Sequence, residues 1–298
     1  MEQHILIIGH GYVGSELAQR LSAGERTVSV ANRSGDEQNP YPVFEADVSS
    51  LSSLEKLAAD LPALPDAIVH CASSSRGGAE AYRAVFLDGI DHLQNVFPDK
   101  RILFTSSTSV YGQTDGSVVT EESPTEPDRE TSQILVEAER KVADSGGIAL
   151  RLAGIYGPGR SIYLQRILEG KAEIEAGETS RFLNQIHRTD IVAAIQHLIG
   201  TSGDDFQGRI FNAVDDTPMT QRECYERLAA YFEVPIPPES PPNTKRKRAW
   251  TNKIVDNSAL KSTGWTPQFP SFFDALDDDP ELIPSLREKV RDDAGSQS

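Results

Sequence analysis

The chain has 298 residues, 38% of them hydrophobic, and a formal net charge of −16. That length suits one large α/β domain with a smaller appendage, and the apolar content is enough for a full-sized core. The acidic balance excludes a general nucleic-acid binder, which needs a cationic surface, but leaves room for a local phosphate pocket.

No apolar run reaches the ~18 to 20 residues of a membrane-spanning helix. The opening MEQHILIIGHG has no basic start and no small-residue cleavage site, so no signal peptide is expected. The two cysteines, Cys71 and Cys224, are far apart and lack metal-ligand spacing. They read as buried free thiols in a reducing cytosol, so a cytoplasmic protein without a metal site is expected.

Taken in chain order, the first half alternates strand-like and helix-like stretches. A strand is predicted over 4–8, and a helix over 12–21 from the spacing of Val13, Leu17, Ala18 and Leu21. Strands follow over 28–31 and 43–46, then a helix over 49–61 with Leu51, Leu54, Leu57, Ala58 and Leu61 on one face. The fourth strand is 67–70, a long helix covers 79–97, and the fifth strand is 101–105. A helix over 130–143 leads into a sixth strand over 148–152. Strands separated by helices of this length require crossover connections, hence a parallel sheet covered on both faces.

After Tyr156 the rhythm breaks at Gly157-Pro158-Gly159. A strand over 181–186, a helix over 190–198, a strand over 210–213 and a helix over 221–232 are predicted there. The proline-rich stretch 235–242 reads as a loop. The basic run Lys245–Arg248 reads as a solvated loop face, with nuclear import the alternative. The tail from Asp277 is acidic and proline-punctuated, with 291–298 expected to fray, and no internal repeat is visible.

The sharpest motif is Gly9-His10-Gly11-Tyr12-Val13-Gly14, placed between the first strand and the first helix. In that context Gly9 permits a tight turn, Gly11 lets backbone approach a pyrophosphate, and Gly14 lets helix and strand pack closely. The helix N-terminus, with Tyr12 and Val13, offers N–H groups and a positive dipole end to the phosphates. The second strand ends in Asn32, Arg33 and Ser34, where an NAD site usually places an acidic residue for the ribose hydroxyl. A guanidinium there pairs with a 2′-phosphate as a bidentate donor, so NADP is expected over NAD. Asp47 and Val48, after the third strand, are placed to meet the adenine, with a helix-start acid the alternative for Asp47.

Several segments together resemble the extended short-chain dehydrogenase/reductases, the NAD(P)-dependent epimerase/dehydratase group, and within it an atypical subgroup. They are the glycine motif, His70-Cys71-Ala72-Ser73, and Thr105 to Gly112 (TSSTSVYG), followed by Leu150 to Gly159 (LRLAGIYGPG). Then come Ile186 to Ile191 (IHRTDI), Phe211-Asn212, Asp256-Asn257-Ser258 and Gly264-Trp265. The resemblance covers nearly the whole chain. It implies a Rossmann-type doubly wound parallel sheet over 1–155, with segments of about 181–215 returning to it, and a smaller substrate lobe over 156–298. It also places Cys71, Ala72 and Ser73 at the cofactor and implies a homodimer.

The reaction so implied is hydride transfer with the nicotinamide on a nucleotide-linked sugar or small carbonyl compound. In the family a Ser bonds the reacting oxygen, and a Tyr, acidified by a Lys four residues on, moves the proton. Ser107 is the match for the Ser, with Ser106 second. The Tyr-x-x-x-Lys pair is missing: aligning the family's following Glu with Glu139 puts Leu135 at the Lys position and Thr131 at the Tyr position. A threonine hydroxyl is a far weaker acid than a phenol of pKa ~10. The family Asn of the preceding helix is also replaced, by Phe86 with Asp88 nearby. The proton then falls to Tyr111, Asp88, Tyr156 or a bound water. On the substrate side Tyr156, Arg160, Arg181 and His187 are the candidates, since arginines suit a phosphorylated or carboxylated substrate. The expectation is an NADP-dependent oxidoreductase, epimerase or dehydratase with an altered proton relay. The alternative is an inactive NADP(H)-binding sensor or scaffold.

Overall fold

The computed structural model describes residues 3–24, 26–35, 38–74, 77–177, 180–200, 205–241 and 251–295. The basic run Lys245–Arg248 lies outside the described residues. The chain divides into two compact units. The first joins 1–110, 124–151 and 191–211, and the second joins 111–123, 152–190 and 212–298. The sequence reading cut the chain at 155 and returned 181–215 to the first domain. Here the returning piece is 191–211, and 111–123 goes with the second unit.

The first unit is built around β1 (His4–Ile8), β2 (Thr27–Asn32), β3 (Val43–Glu45), β4 (Ala67–His70) and β5 (Arg101–Ser107). Its helices are α1 (Gly14–Ser22), α2 (Leu51–Asp60), α3 (Ala79–Tyr82) and α4 (Gly89–Val96). The seven-stranded sheet has the order β12-β7-β5-β4-β1-β2-β3, where β7 is Ile148–Leu152 and β12 is Ile210–Ala213. This is the order of a Rossmann-type doubly wound sheet, with the strand sequence reversing beside β1. β1 pairs in parallel with β2 and β4, Ile8 standing opposite Ala31 on one side and His70 on the other.

Every residue of β1 is buried, as the apolar run HILII requires of a strand covered on both faces. α1 turns Gly14, Leu17, Ala18 and Leu21 inward. α2 starts at Ser50, whose side chain accepts the N–H of Ser53 and so satisfies one orphan donor of the first turn. α5 (Glu130–Asp144) and α7 (Arg188–Gly200) complete the sequence-predicted crossovers.

The long helix expected over 79–97 is interrupted. Residues Arg83–Asp88 form a π-helical turn between α3 and α4. The turn's Val85 carbonyl accepts Nε2 of His70, the last residue of β4, at 3.0 Å. Gly89 begins α4, and a Cβ there would lie 3.1 Å from the Val48 side chain.

The second unit carries pairs of short strands. β6 (Val118–Val119) pairs in parallel with β15 (Ile254–Val255), and β8 (Gly154–Tyr156) with β11 (Gln185–His187). β9 (Ile174–Glu175) pairs in parallel with β14 (Glu239–Ser240), while β10 (Phe182–Leu183) and β13 (Met219–Thr220) are antiparallel. The strand expected over 181–186 is therefore two pieces, and the expected loop 235–242 contains β14, whose pairing uses backbone rather than side-chain pattern. The helices are α6 (Ile162–Leu168), α8 (Gln221–Tyr231), α9 (Ser258–Lys261), α10 (Phe272–Asp278) and α11 (Leu282–Gly295). α8 opens with a capping box, in which Thr220 and Glu223 satisfy each other's backbone N–H groups. Residues 291–295 of the tail belong to α11. α11 buries Leu282 and Leu286 in a core shared with Leu164, Leu228 and Phe272.

Candidate functional site

The glycine turn is shaped by its three glycines in three different ways. Gly9 has φ +106, and a Cβ on it would sit 2.6 Å from the Ala72 backbone. A Cβ on Gly14 would sit 2.0 Å from the Gly9 carbonyl oxygen. These two positions are closed by the protein itself. Gly11 is the opposite: a Cβ there would meet no atom within 4 Å. An open face over a turn that leads into a helix start is what close backbone approach by a pyrophosphate needs. No side chain caps α1, so its first N–H groups keep their positive end for an anion. Cys71, a free thiol, lies under the turn with its Sγ 3.4 Å from the Gly9 carbonyl. Burial pushes its pKa up to about 12, so the thiol stays protonated at neutral pH. Ala72 closes against Gly9, and Ser73 is exposed next to it.

At the end of β2, Asn32 Oδ1 accepts the Ser34 N–H at 3.0 Å, folding the strand end into a short turn. Arg33 and Ser34 are exposed on that turn. Asp47, half-buried, accepts the N–H and hydroxyl of Ser49 at 2.9 and 2.6 Å. Burial works against its charge, but the Ser49 bonds and the Arg33 charge outweigh it and hold the carboxyl below its ordinary range. Val48 is buried against Gly89, and its carbonyl accepts His92 Nδ1 at 3.1 Å.

The two candidate serines are separated by their partners. Ser106 is buried, and its hydroxyl donates to Glu139 Oε1 at 2.5 Å. Glu139 Oε2 in turn accepts Arg151 Nε and Nη2 at 3.0 and 2.7 Å, with the two side chains only 1% and 3% exposed. The hydroxyl proton of Ser106 is thereby committed to the buried Glu139–Arg151 pair. Ser107 is half-buried, and its Oγ accepts the Ser109 N–H at 3.2 Å, which orients the oxygen and leaves its proton to donate elsewhere. On α5, Leu135 is buried and Thr131 half-buried, so no cation stands where the resemblance implies one. Asp88 is exposed on the π-helical turn. His70 is wholly buried, and burial pushes its pKa down to about 4. Its ring packs beside Phe86 and Phe104 at 6.1 and 5.6 Å.

In the second unit, three sequence candidates are buried and bonded to the protein's own groups. Tyr111 is fully buried, its hydroxyl 2.9 Å from both the Thr120 carbonyl and Asn212 Oδ1. Tyr156 is 1% exposed, with its phenol raised well above the usual range by burial and by Asp215, Asp190, Asp274 and Asp279. A phenol so placed holds its proton and is no acid/base at neutral pH. His187 is also buried, with Nε2 3.0 Å from Asp279 Oδ2 and Nδ1 accepting the Thr189 N–H at 3.2 Å. Arg160 is exposed in a tight Gly157–Arg160 turn closed by reciprocal backbone bonds.

Arg181 opens on a cleft of about 470 Å³, lined by Tyr163, Arg166, Glu175, Gln221 and Tyr225 among others. Its Nε donates to both Glu175 oxygens at 3.1 Å, and Nη2 reaches Tyr163 Oη at 3.4 Å. The sequence reading missed the cleft's other walls, because α6, β9 and β14 are too short to show a period. It also missed Lys253, which is buried, with Nζ 2.8 Å from the Tyr111 carbonyl. An isolated lysine next to an asparagine has no distinguishing sequence signal.

Comparison with known proteins agrees with this architecture. The model of the NAD dependent epimerase/dehydratase family matches residues 5–213. Protein YeeZ of Escherichia coli K12 is 30% identical over 278 residues, covering 89% of this chain and 96% of YeeZ. A Methylobacillus flagellatus structure, described as a putative NAD-dependent epimerase/dehydratase, is 25% identical with a TM-score of 0.78, covering 96% of this chain and all of that one. The Thermus thermophilus UDP-glucose 4-epimerase, solved in complex with NAD, shares the fold at 18% identity and a TM-score of 0.77, covering 96% and 99% of the two chains. Among the described residues no helix is long and apolar enough to cross a membrane, and no group of His, Cys, Asp and Glu is arranged to hold a metal. The chain belongs to the NAD dependent epimerase/dehydratase family.

Proposed function

We propose that this chain is an NADP-dependent oxidoreductase, epimerase or dehydratase acting on a nucleotide-linked sugar or a small carbonyl compound. The observation that carries the reading is the open face of Gly11 between two glycines sealed by the backbone. Of the three glycines in this turn, Gly11 alone has no protein atom that a Cβ would meet within 4 Å, so its smallness serves a ligand. The N–H groups of Gly11, Tyr12 and Val13 hold the pyrophosphate, and Arg33 with Ser34 takes the 2′-phosphate. Asp47 and Val48 flank the adenine, and Ala72 and Ser73 continue the cradle. When bound, the nicotinamide supplies hydride exchange. The chain's own contribution begins at Ser107, whose free proton donates to the reacting oxygen. The Arg181 cleft receives a polar part of the substrate. With Tyr111 and Tyr156 locked, the proton is moved by Asp88 or by water.

A second reading, a dinucleotide sensor without turnover, is favoured by one observation: Leu135 and Thr131 occupy the places of the family's Lys and Tyr. Parallel fluorescence titrations with NADPH and NADH, followed by a search for hydride exchange, test both. The first reading requires NADPH-selective binding and exchange with at least one carbonyl or sugar-nucleotide compound. Selective binding with no exchange supports the sensor, and binding of neither dinucleotide refutes both.

A further inference from the structure

Lys253 is held deep in the second unit, only 4% exposed. Its Nζ donates to two neutral oxygens, the Tyr111 carbonyl at 2.8 Å and Thr251 Oγ1 at 3.2 Å. Among the described residues no carboxylate pairs with it, and burial alone accounts for a pKa lowered to about 8. The backbone around it is fixed by amide clamps. Asn184 Nδ2 donates to the Lys253 carbonyl at 3.0 Å, and Asn184 Oδ1 accepts the Val255 N–H at 2.7 Å. Asn252 Oδ1 accepts the Phe182 N–H at 2.9 Å, while the Asn252 N–H bonds the Gln113 carbonyl at 3.0 Å. The strand pair β6 and β15 extends the same frame.

A buried cation without a counter-charge works against folding, and an apolar side chain of similar length would serve the packing better. The bond to the Tyr111 carbonyl does not remove this penalty, because a neutral carbonyl leaves the charge uncompensated. A residue that costs folding energy and stands in rigid surroundings is a candidate for a charge that a ligand uses. The ammonium has three donors, and two are engaged.

We propose that Lys253 is an oxyanion-receiving residue, its third donor and uncompensated charge taking a carboxylate or phosphate oxygen of the protein's ligand. The site rests on the second unit alone, so it stands whether or not the dinucleotide of the first unit is NADP.

The experiment compares thermal unfolding of the wild-type protein, Lys253→Met and Lys253→Gln at pH 7. Inorganic phosphate and acetate are added in turn at ionic strength held constant with chloride. The expected result has two parts. Without probe, Lys253→Met melts at or above the wild type. With probe, the wild type gains about 2 °C or more with phosphate or acetate, and both variants respond at least tenfold more weakly. A response to phosphate alone identifies a phosphorylated ligand, and one to acetate a carboxylate. The proposal is overturned if Lys253→Met melts well below the wild type or fails to fold, since the lysine is then structural. It is equally overturned if the wild type ignores both probes, or if all three proteins respond alike. Lys253→Gln keeps a donor for the Tyr111 carbonyl without the charge, so a loss of response there assigns the effect to charge.

Discussion

Replacing Glu139 by leucine tests whether Ser106 is structural. The substitution removes a carboxylate 1% exposed that accepts two bonds from Arg151, itself 3% exposed, and one from Ser106. The leucine fills a similar volume, so little is lost in packing. What remains is a buried guanidinium deprived of its carboxylate, a change that destabilises by about 3 to 5 kcal/mol. The Ser106 hydroxyl also loses its acceptor, adding about 1 kcal/mol if it finds no other. With a urea m-value of about 3 kcal/mol/M, the unfolding midpoint falls by about 1 to 2 M. Urea titration followed by far-UV circular dichroism measures this directly. Adding Arg151→Met to Glu139→Leu removes the buried guanidinium that has lost Glu139 and restores most of the loss, which a simple cavity would not allow. A single-variant loss below about 1 kcal/mol refutes the reading that Glu139 is the carboxylate Arg151 and Ser106 depend on, and Ser106 would return as a catalytic candidate.

Gly11→Ala leaves the unfolding midpoint nearly unchanged but weakens NADPH binding at least tenfold, whereas Gly14→Ala, whose Cβ would sit 2.0 Å from the Gly9 carbonyl oxygen, lowers stability; circular dichroism and dinucleotide fluorescence separate the two. Arg33→Glu weakens NADPH binding far more than NADH binding, and an equal loss for both removes Arg33 from the 2′-phosphate. Ser107→Ala abolishes any turnover while dinucleotide affinity is kept, and undiminished turnover removes Ser107 from the chemistry. His70 has a folded pKa of about 4 against 6.5 unfolded, so the unfolded chain binds the extra proton between those values. Stability is therefore full above pH 6.5 and falls as pH drops toward 4, by about 3 kcal/mol from this residue. His70→Phe flattens that part of a stability-against-pH curve, and an unchanged slope shows that His70 is not its source.

The first unit was legible because its signals are periodic and long. β1 is a buried apolar run, α1 and α2 carry one apolar face each, and the glycine turn sits where strand meets helix. The π-helical turn at Arg83–Asp88 was not legible, because one extra residue in a turn barely disturbs the apolar spacing, and the bond its Val85 carbonyl makes with His70 is a tertiary contact. In the second unit the strands are two or three residues long and specified by pairing, not by pattern. The site divides the same way. The glycines and the Arg33 turn follow from local backbone needs and could be read. The roles of Ser106, Tyr111, Tyr156 and His187 depend on partners far along the chain, and composition does not reveal whether a polar side chain is spent on a neighbour or spared for a ligand.

The boundaries of the two units have a consequence for how the protein is made. The chain passes between them five times, after residues 110, 123, 151, 190 and 211. A ribosome that has released β7 must still deliver about 60 residues before β12 can join the same sheet, which takes about 3 to 12 s at 5–20 residues per second. During that interval the side of β7 that will receive β12 is exposed as a sheet edge, the kind of surface that recruits other chains. Recombinant yield should therefore respond to translation speed over 152–209 and to chaperone supply more than to the stability of the finished molecule.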